Sequence, residues 1–233
     1  MEAQDCISWE VVCGAVLQVC LVRGEENDRD VEVVVIEMIR LEHIVNSVFT
    51  SRTYVMSEDD GSEFWIVDCG DMPPLVEMMS AKGGMPFQVK GVLLTHVHYD
   101  HIYGLPRLRE LFPEIRVYTN EYGRMALGSE KLNYSKYHND PIAFESDNIV
   151  VCKEGDEIEL FEGVTAKVYE TPGHSDSCLT YEVGNYLFTG DAYIPGVKVV
   201  ITLKGGDKNL AASSVERILK LAEGKEICAG HDC

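Results

Sequence analysis

The chain is 233 residues long, enough for one domain with a sizeable core, and its hydrophobic and charged fractions of 45% and 25% are those of an ordinary globular protein. A formal net charge of -19 offers no basic surface to phosphate backbones or anionic membranes, so nucleic acid and membrane are excluded as expected partners and a small molecule is left. The eight cysteines include no Cys-x-x-Cys pair, and no Lys or Arg precedes the first apolar stretch; buried free thiols and a cytoplasmic location are therefore expected.

Residues 1–32 differ from the rest of the chain. Val11–Val22 is apolar but far too short to span a bilayer. Cys6, Cys13 and Cys20 recur every seven residues, a spacing compatible with one helix face, and Gly24–Asp30 is a charged linker. This segment is read as an N-terminal extension, weakly packed or dispensable, ahead of a domain over 33–233, with Met38 an alternative start of the folded unit. Strands are expected at about 38–45, 47–56 and 63–68. Pro73-Pro74 suits the first turn of a helix that runs to about Lys82 and ends at Gly83-Gly84. Val89–Thr95 reads as apolar on both faces, as a sheet strand covered by helices is. Asp100 to Leu111 reads as a helix, with Leu105, Leu108 and Leu111 at roughly helical spacing and Pro113 beyond. A short strand at Arg116–Thr119 and a short helix at Glu121–Leu127 come next. Further strands are expected at 148–152, 157–160, 164–171, 178–183 and 185–189. An amphipathic helix over Asp207–Ala222 then leads to a last strand, Glu226–Cys228.

The chemistry concentrates at a few points. His96-Val-His98-Tyr-Asp100-His101 places four metal-ligand side chains within six residues, directly after the apolar strand. Three more stand in sharp local contexts: His174 in Thr-Pro-Gly-His, Asp191 in Thr-Gly-Asp, and His231 in Gly-His. Imidazole and carboxylate donors suit zinc, and also iron or manganese, and five histidines with two aspartates suffice for two ions. His96 and His98 are two apart on an extended segment, so both rings can point the same way.

Taken in order, these motifs resemble those of the metallo-β-lactamase-fold hydrolases. Trp65-Ile-Val-Asp68-Cys-Gly70 is similar to that family's first motif, an apolar strand ending in Asp, and the resemblance runs from about Glu37 to the C-terminus. It implies an α/β fold, a four-layer αββα sandwich. It also implies roles: His96, His98 and His174 on one metal, Asp100, His101 and His231 on a second, and Asp191 bridging both. Asp100 and Asp191 are the carboxylates placed at the reaction itself, through a metal-bridging hydroxide. Asp68 is expected behind the ligands, as an acceptor that orients one of them. Tyr193, Lys198 and Lys204 come after Asp191 and are candidate substrate contacts, whereas Lys208 reads as solvated. His43 and His138 match no motif and read as structural, Asp176 and Asp232 as loop residues, and Cys69, Cys178 and Cys228 as small apolar groups.

Departures from the family's branches narrow the reading. One branch of zinc β-lactamases carries Cys where this chain has Asp191, and the flavodiiron branch carries Glu at position 98. An Asp at 191 resembles the glyoxalase II-like and nuclease branches. The chain ends two residues after His231, without the C-terminal region with which glyoxalase II helps bind glutathione. The expected function is a dinuclear, zinc-dependent hydrolase of a small ester, thioester or lactone. The alternatives are a phosphodiesterase or nuclease of the same fold and a mononuclear iron sulfur-dioxygenase; a non-enzymatic scaffold would have lost ligands, and none is lost here.

Overall fold

The computed structural model of the protein describes residues 5–12, 15–22, 32–37, 39–58, 61–83 and 87–232. The linker Gly24–Asp30, Cys13 and Met38 lie outside them. Strands β1 (Asp5–Val12), β2 (Ala15–Val22) and β3 (Glu32–Glu37) form an antiparallel sheet of their own in that order. The cysteine spacing therefore does not lie along a helix: Cys6 and Cys20 are partners in the β1–β2 register. Valine-rich runs such as Ala15–Val22 and Glu32–Glu37 favour the pleated strand over the helix. Because β3 pairs with β2, residues 33–37 hydrogen-bond with the N-terminal strands rather than with the rest of the expected domain.

The remaining chain builds two sheets. The first runs β4 (Arg40–Val45), β5 (Arg52–Ser57), β6 (Glu63–Val67), β7 (Gln88–Leu93), β8 (Arg116–Thr119) and β9 (Ile149–Val151), antiparallel up to β6 and parallel from there. The second runs β10 (Glu157–Phe161), β11 (Val164–Glu170), β12 (Leu179–Val183), β13 (Tyr186–Gly190) and β14 (Glu226–Ala229), with only the β13–β14 pair parallel. Helices α1 (Met72–Gly83), α2 (Tyr99–Ile102), α3 (Leu105–Leu111) and α4 (Glu121–Leu127) come after strands of the first sheet, and α5 (Lys208–Leu221) precedes β14.

Strand alternation sorts the apolar side chains into three cores. Trp65, Val67 and Leu93 from the first sheet meet Val168, Tyr181 and Phe188 from the second in a layer between the sheets. Their neighbours Phe64, Ile66 and Val92 point the other way, onto Leu75, Met79, Ile102 and Leu108 of the helices. On the far side Leu187 packs with Ile218 of α5. Three apolar interlayers make four layers, helix–sheet–sheet–helix, which is the αββα sandwich. It also explains why β6 and the Val92–Leu93 end of β7 are apolar on both faces, covered on one side by helices and on the other by a sheet, while Gln88 and Lys90 at the start of β7 are exposed.

The expected helix from Asp100 to Leu111 is broken into α2 and α3. Gly104 donates its N–H to the Cys69 carbonyl (2.8 Å), and a side chain there would meet Cys69 Sγ. Pro106, without an N–H to give, stands in the first turn of α3 and suits a fresh start. Among the described residues no helix is long and apolar enough to cross a membrane. Cys69, Cys152, Cys178 and Cys228 are free and buried.

Candidate metal centre

Five strands end at one place. Asp68 follows β6, the His96–His101 run follows β7, His174 follows β11, Asp191 follows β13 and His231 follows β14. Loops beyond the carboxyl ends of strands, held by the two sheets, are the natural site for chemistry in such a fold. Glycines let these loops approach closely. Gly190, at φ +50°, puts its backbone where a side chain would strike Thr95, and a side chain on Gly230 would strike Asp191 and His101.

The side chains predicted from the motifs do converge. Ligand atoms of His96, His98 and His174 lie within 4.8 Å of one another, as do those of Asp100, His101 and His231. Asp191 stands between the groups: Oδ2 is 3.7 Å from His174 Nε2 and 3.4 Å from His231 Nε2, and Oδ1 is 3.6 Å from His101 Nε2. His231 Nε2 also lies 3.2 Å from Asp100 Oδ2 and 3.3 Å from His101 Nε2. His174 Nε2 faces His98 Nδ1 at 2.9 Å.

The outer atoms of three rings are committed. His174 Nδ1–H donates to the Val200 carbonyl (2.8 Å), which can only accept. His101 Nδ1–H donates to Asp68 Oδ2 (2.7 Å). Thr95 Oγ1 gives its own proton to Asp68 and is left to accept from His96 Nδ1 (3.2 Å). Each tautomer is thereby fixed with the Nε2 lone pair turned inward, the arrangement metal-bound histidines adopt. Asp68 also accepts from the Thr95 N–H (2.8 Å) and holds its own backbone in the left-handed region at φ 58°. Asp68, His96 and His101 form a third convergent group, but the Asp68 carboxylate is already taken up by three donors and so supports the ligands rather than joining them.

The electrostatics of the two halves differ. Burial and the neighbouring rings hold His96 well below the ordinary histidine value, and burial with His174 beside it takes His98 down to about 3. His174 is lowered too, mainly by burial. These rings are neutral bases at pH 7. Burial opposes charge on His101 and His231 as well, but Asp100 and Asp191 outweigh it, with Asp68 adding at His101, and push them up to about 9 and about 10. Burial would raise the two carboxylates, yet the histidines facing them hold Asp100 and Asp191 below the usual range.

Does this donor set fit metal ions? His96 Nε2, His98 Nε2 and Asp191 Oδ1 are buried with no hydrogen-bond partner, which is costly unless something else meets their lone pairs. Ring nitrogens also crowd together, His174 Nε2 on His98 Nδ1 at 2.9 Å and His101 Nε2 on His231 Nε2 at 3.3 Å, so nitrogens of both groups are turned on a common centre. The donor set fits divalent metal ions.

A large cavity, about 790 Å³, is lined by Trp65, Lys90, Arg116 and Glu159 among others. None of the converging ligands lines it, so volume alone points away from the chemistry. Against the ligands lies a small cavity of about 20 Å³, walled by His174, Asp191 and Val197–Val200. The family match decides the identity: the sequence model of the metallo-beta-lactamase superfamily fits residues 48–231.

The chain belongs to the metallo-beta-lactamase superfamily. Over 195 residues it is 29% identical to the hydroxyacylglutathione hydrolase of Hamiltonella defensa subsp. Acyrthosiphon pisum, covering 83% of this chain and 67% of that one. It is 31% identical over 168 residues to the hydroxyacylglutathione hydrolase of Xylella fastidiosa strain M12, covering 72% of this chain and 54% of that one. The match thus spans between half and two thirds of these relatives' length. The B3 metallo-beta-lactamase BLEG-1 superposes with a TM-score of 0.73 at 28% identity, over 83% of this chain and 92% of that one. The chain is thus similar to the hydroxyacylglutathione hydrolases, and family and relatives together point to a metal-dependent hydrolase.

The remaining candidates are dispersed. Tyr193 packs on the α5 core and accepts from Thr189 Oγ1 through its carbonyl (2.7 Å). Lys198 lines the cavity beside His174 and Asp191. Lys204 is exposed; its backbone, not its side chain, is held, by Tyr134 Oη. Asp232 pairs with Arg52, and the Asp176 carbonyl accepts from Asn120. His43 sits on β4 opposite Tyr54, and His138 stacks on Tyr99. Sequence reasoning passed over two features. Tyr134 presents its ring edge-on to His98, centroids 5.1 Å apart, from an unmotivated loop. Asn46 is buried behind the site: it accepts from the Asp71 N–H (3.0 Å) and donates to Ser51 and Thr53 (3.1 Å each), while Ser51 Oγ donates to the Asp100 carbonyl (2.7 Å). No sequence signal set Asn46, Ser51 and Thr53 apart, because the hairpin also carries Arg40, Glu42, His43, Ser47, Thr50 and Arg52.

Proposed function

We propose that the protein hydrolyses a small ester, thioester or lactone at a dinuclear metal centre. His96, His98 and His174 would hold one divalent ion, Asp100, His101 and His231 the second, and Asp191 would contribute to both; zinc suits these donors, and iron or manganese fit the same set. The observation that carries this reading is the position of Asp191 within 3.7 Å of ring nitrogens from both groups. Two such ions would bring a shared water's pKa toward neutrality and polarise the substrate carbonyl.

The protein's own groups set the conditions for that chemistry. Asp68, Thr95 and the Val200 carbonyl hold His101, His96 and His174 in the inward-facing tautomers. Asp100 and Asp191 stay ionised and offset the positive charge of the ions. In the net reaction water adds to the acyl carbon, the carbon–sulfur or carbon–oxygen bond breaks, and a carboxylate, a thiol or alcohol and one proton leave. The acidic surface favours a small-molecule substrate over nucleic acid. The test is metal analysis of the purified protein followed by hydrolysis assays on thioester, lactone and phosphodiester panels with oxygen uptake monitored. Near two ions per chain with thioester or lactone turnover is expected; one iron with oxygen consumption would overturn the reading.

A further inference from the structure

A cavity of about 410 Å³ lies between the loop after Asp191 and the first turns of α5. Val197, Val199 and Ile201 wall it from the loop, and Ala212 and Val215 from the helix. Its volume is in the range of small-ligand pockets. The same stretch, Val197 to Val199, also walls the small cavity against His174 and Asp191. One strip of chain therefore borders both the apolar chamber and the small cavity against the candidate ligands, and the Val200 carbonyl beside it holds His174 in place.

Two cations stand at this chamber, Lys198 and Lys208. In a chain of net charge -19 that is a local reversal of sign. Neither lysine makes an ion pair among the described residues. The acid next to Lys208, Asp207, caps α5: its Oδ1 accepts the Asn209 and Leu210 N–H groups at 2.8 and 2.9 Å; the acid nearest Lys198 in sequence is Asp191, which lines the small cavity with it. Apolar walls with unpaired cations at the rim match an aliphatic chain that ends in an anion.

We propose that this chamber binds an aliphatic arm of the substrate and that Lys198 and Lys208 meet a carboxylate at the arm's end. The preferred substrate is then an ester or thioester with a short dicarboxylate-like acyl group, rather than a small polar acyl group. This rests on the hydrolase reading above, because it places the scissile carbonyl beside His174 and Asp191.

The experiment uses the full chain with its metals and the N-acetylcysteamine thioesters of acetate, hexanoate and adipate. Burying several methylenes should raise kcat/KM for hexanoyl over acetyl by on the order of tenfold or more, and adipoyl should exceed hexanoyl. In Ala212→Phe and, separately, Val215→Phe, the hexanoyl-to-acetyl ratio should fall toward one. Lys198→Met with Lys208→Met should lower the adipoyl-to-hexanoyl ratio and leave the hexanoyl-to-acetyl ratio in place. Equal rates for acetyl and hexanoyl, or ratios that neither phenylalanine variant changes, would overturn the proposal. If no thioester is cleaved although the metals are bound, the hydrolase reading fails instead. Calorimetric titration of adipate then still decides the pocket: binding weakened by Ala212→Phe upholds it, and no binding overturns it.

Discussion

Removing the Asp191 carboxylate takes away the side chain that approaches both ligand groups, and with it a negative charge facing three histidines. Asp191→Ala should lose more bound metal than His98→Ala, which removes one neutral donor from one group, and both should abolish most hydrolysis. Asp68→Ala acts through His101 and Thr95, so a milder loss, on the order of 10–100-fold in affinity or rate, is expected. Elemental analysis and turnover of the three variants side by side check this order; full activity and metal in the Asp191 variant would refute it. Titration provides a second test at this scale. In the metal-free protein His101 and His231 keep their protons up to about 9 and about 10, so ions entering at pH 7 must displace up to two protons. Calorimetry in buffers of different ionisation enthalpy should show this release, and affinity should rise with pH. The sign for folding comes from the same groups. Above the unfolded value of 6.5 the folded metal-free state holds more protons through His101 and His231, so stability falls as pH rises toward 10. Below 6.5 the unfolded state takes up protons that buried His96, His98 and His174 refuse, so stability falls again. Denaturant unfolding of the stripped protein should therefore peak near pH 6.5.

Besides the apolar core, polar ties join the elements that carry the candidate ligands. Asn46 links the β4–β5 hairpin to the loop before α1, and Ser51 ties the hairpin to α2 at Asp100. Asn46→Ala leaves buried partners unmet and should cost about 1–3 kcal/mol, read as a lower denaturation midpoint with metal sites intact but weaker. The loop from Ile194 to Gly206 is tied at two points: Val200 to His174, and Lys204 to Tyr134. Tyr134→Phe removes the second tie, at about 1 kcal/mol per hydrogen bond. KM should rise several-fold while the metal content stays, since His174 keeps its own bond. Loss of metal in Tyr134→Phe would show that the loop and the ligand are one unit.

At the scale of the molecule the sandwich and the N-terminal sheet are separable by sequence pattern. The family match begins at residue 48, and among the described residues β1 to β3 pair only with one another. A chain beginning at Met38 is expected to fold and keep its metals, checked by circular dichroism and elemental analysis; an insoluble or metal-free product would make the N-terminal strands part of the folding unit. Bound ions should raise the melting temperature of the whole chain, because ligands that bind only the folded state stabilise it by mass action.

By itself the sequence showed most of the strands and helices and which side chains are candidate ligands; the four layers came through the resemblance. The short apolar runs Phe64–Val67 and Tyr186–Phe188 and the helical spacing of α5 are local properties of burial and are legible without knowledge of the partner. The His96–His101 run, Thr171–His174, Thr189–Asp191 and Gly230-His231 were legible because loop ligands need particular residues at short range. Sequence could not tell that Asp100 to Leu111 breaks at Gly104, since the cause is Cys69, far away in the chain. Nor could it tell that Cys6 and Cys20 sit across a strand pair, because valine-rich runs are ambiguous until a neighbouring strand takes up their hydrogen bonds. Only the tertiary structure decided which acceptor fixes each ring: Val200 for His174, Asp68 for His101 and Thr95 for His96. Two of those contacts join residues 33 and 26 positions apart in the chain, and hydrogen bonds at such separations depend on how loops from different strands pack together, which no local pattern encodes.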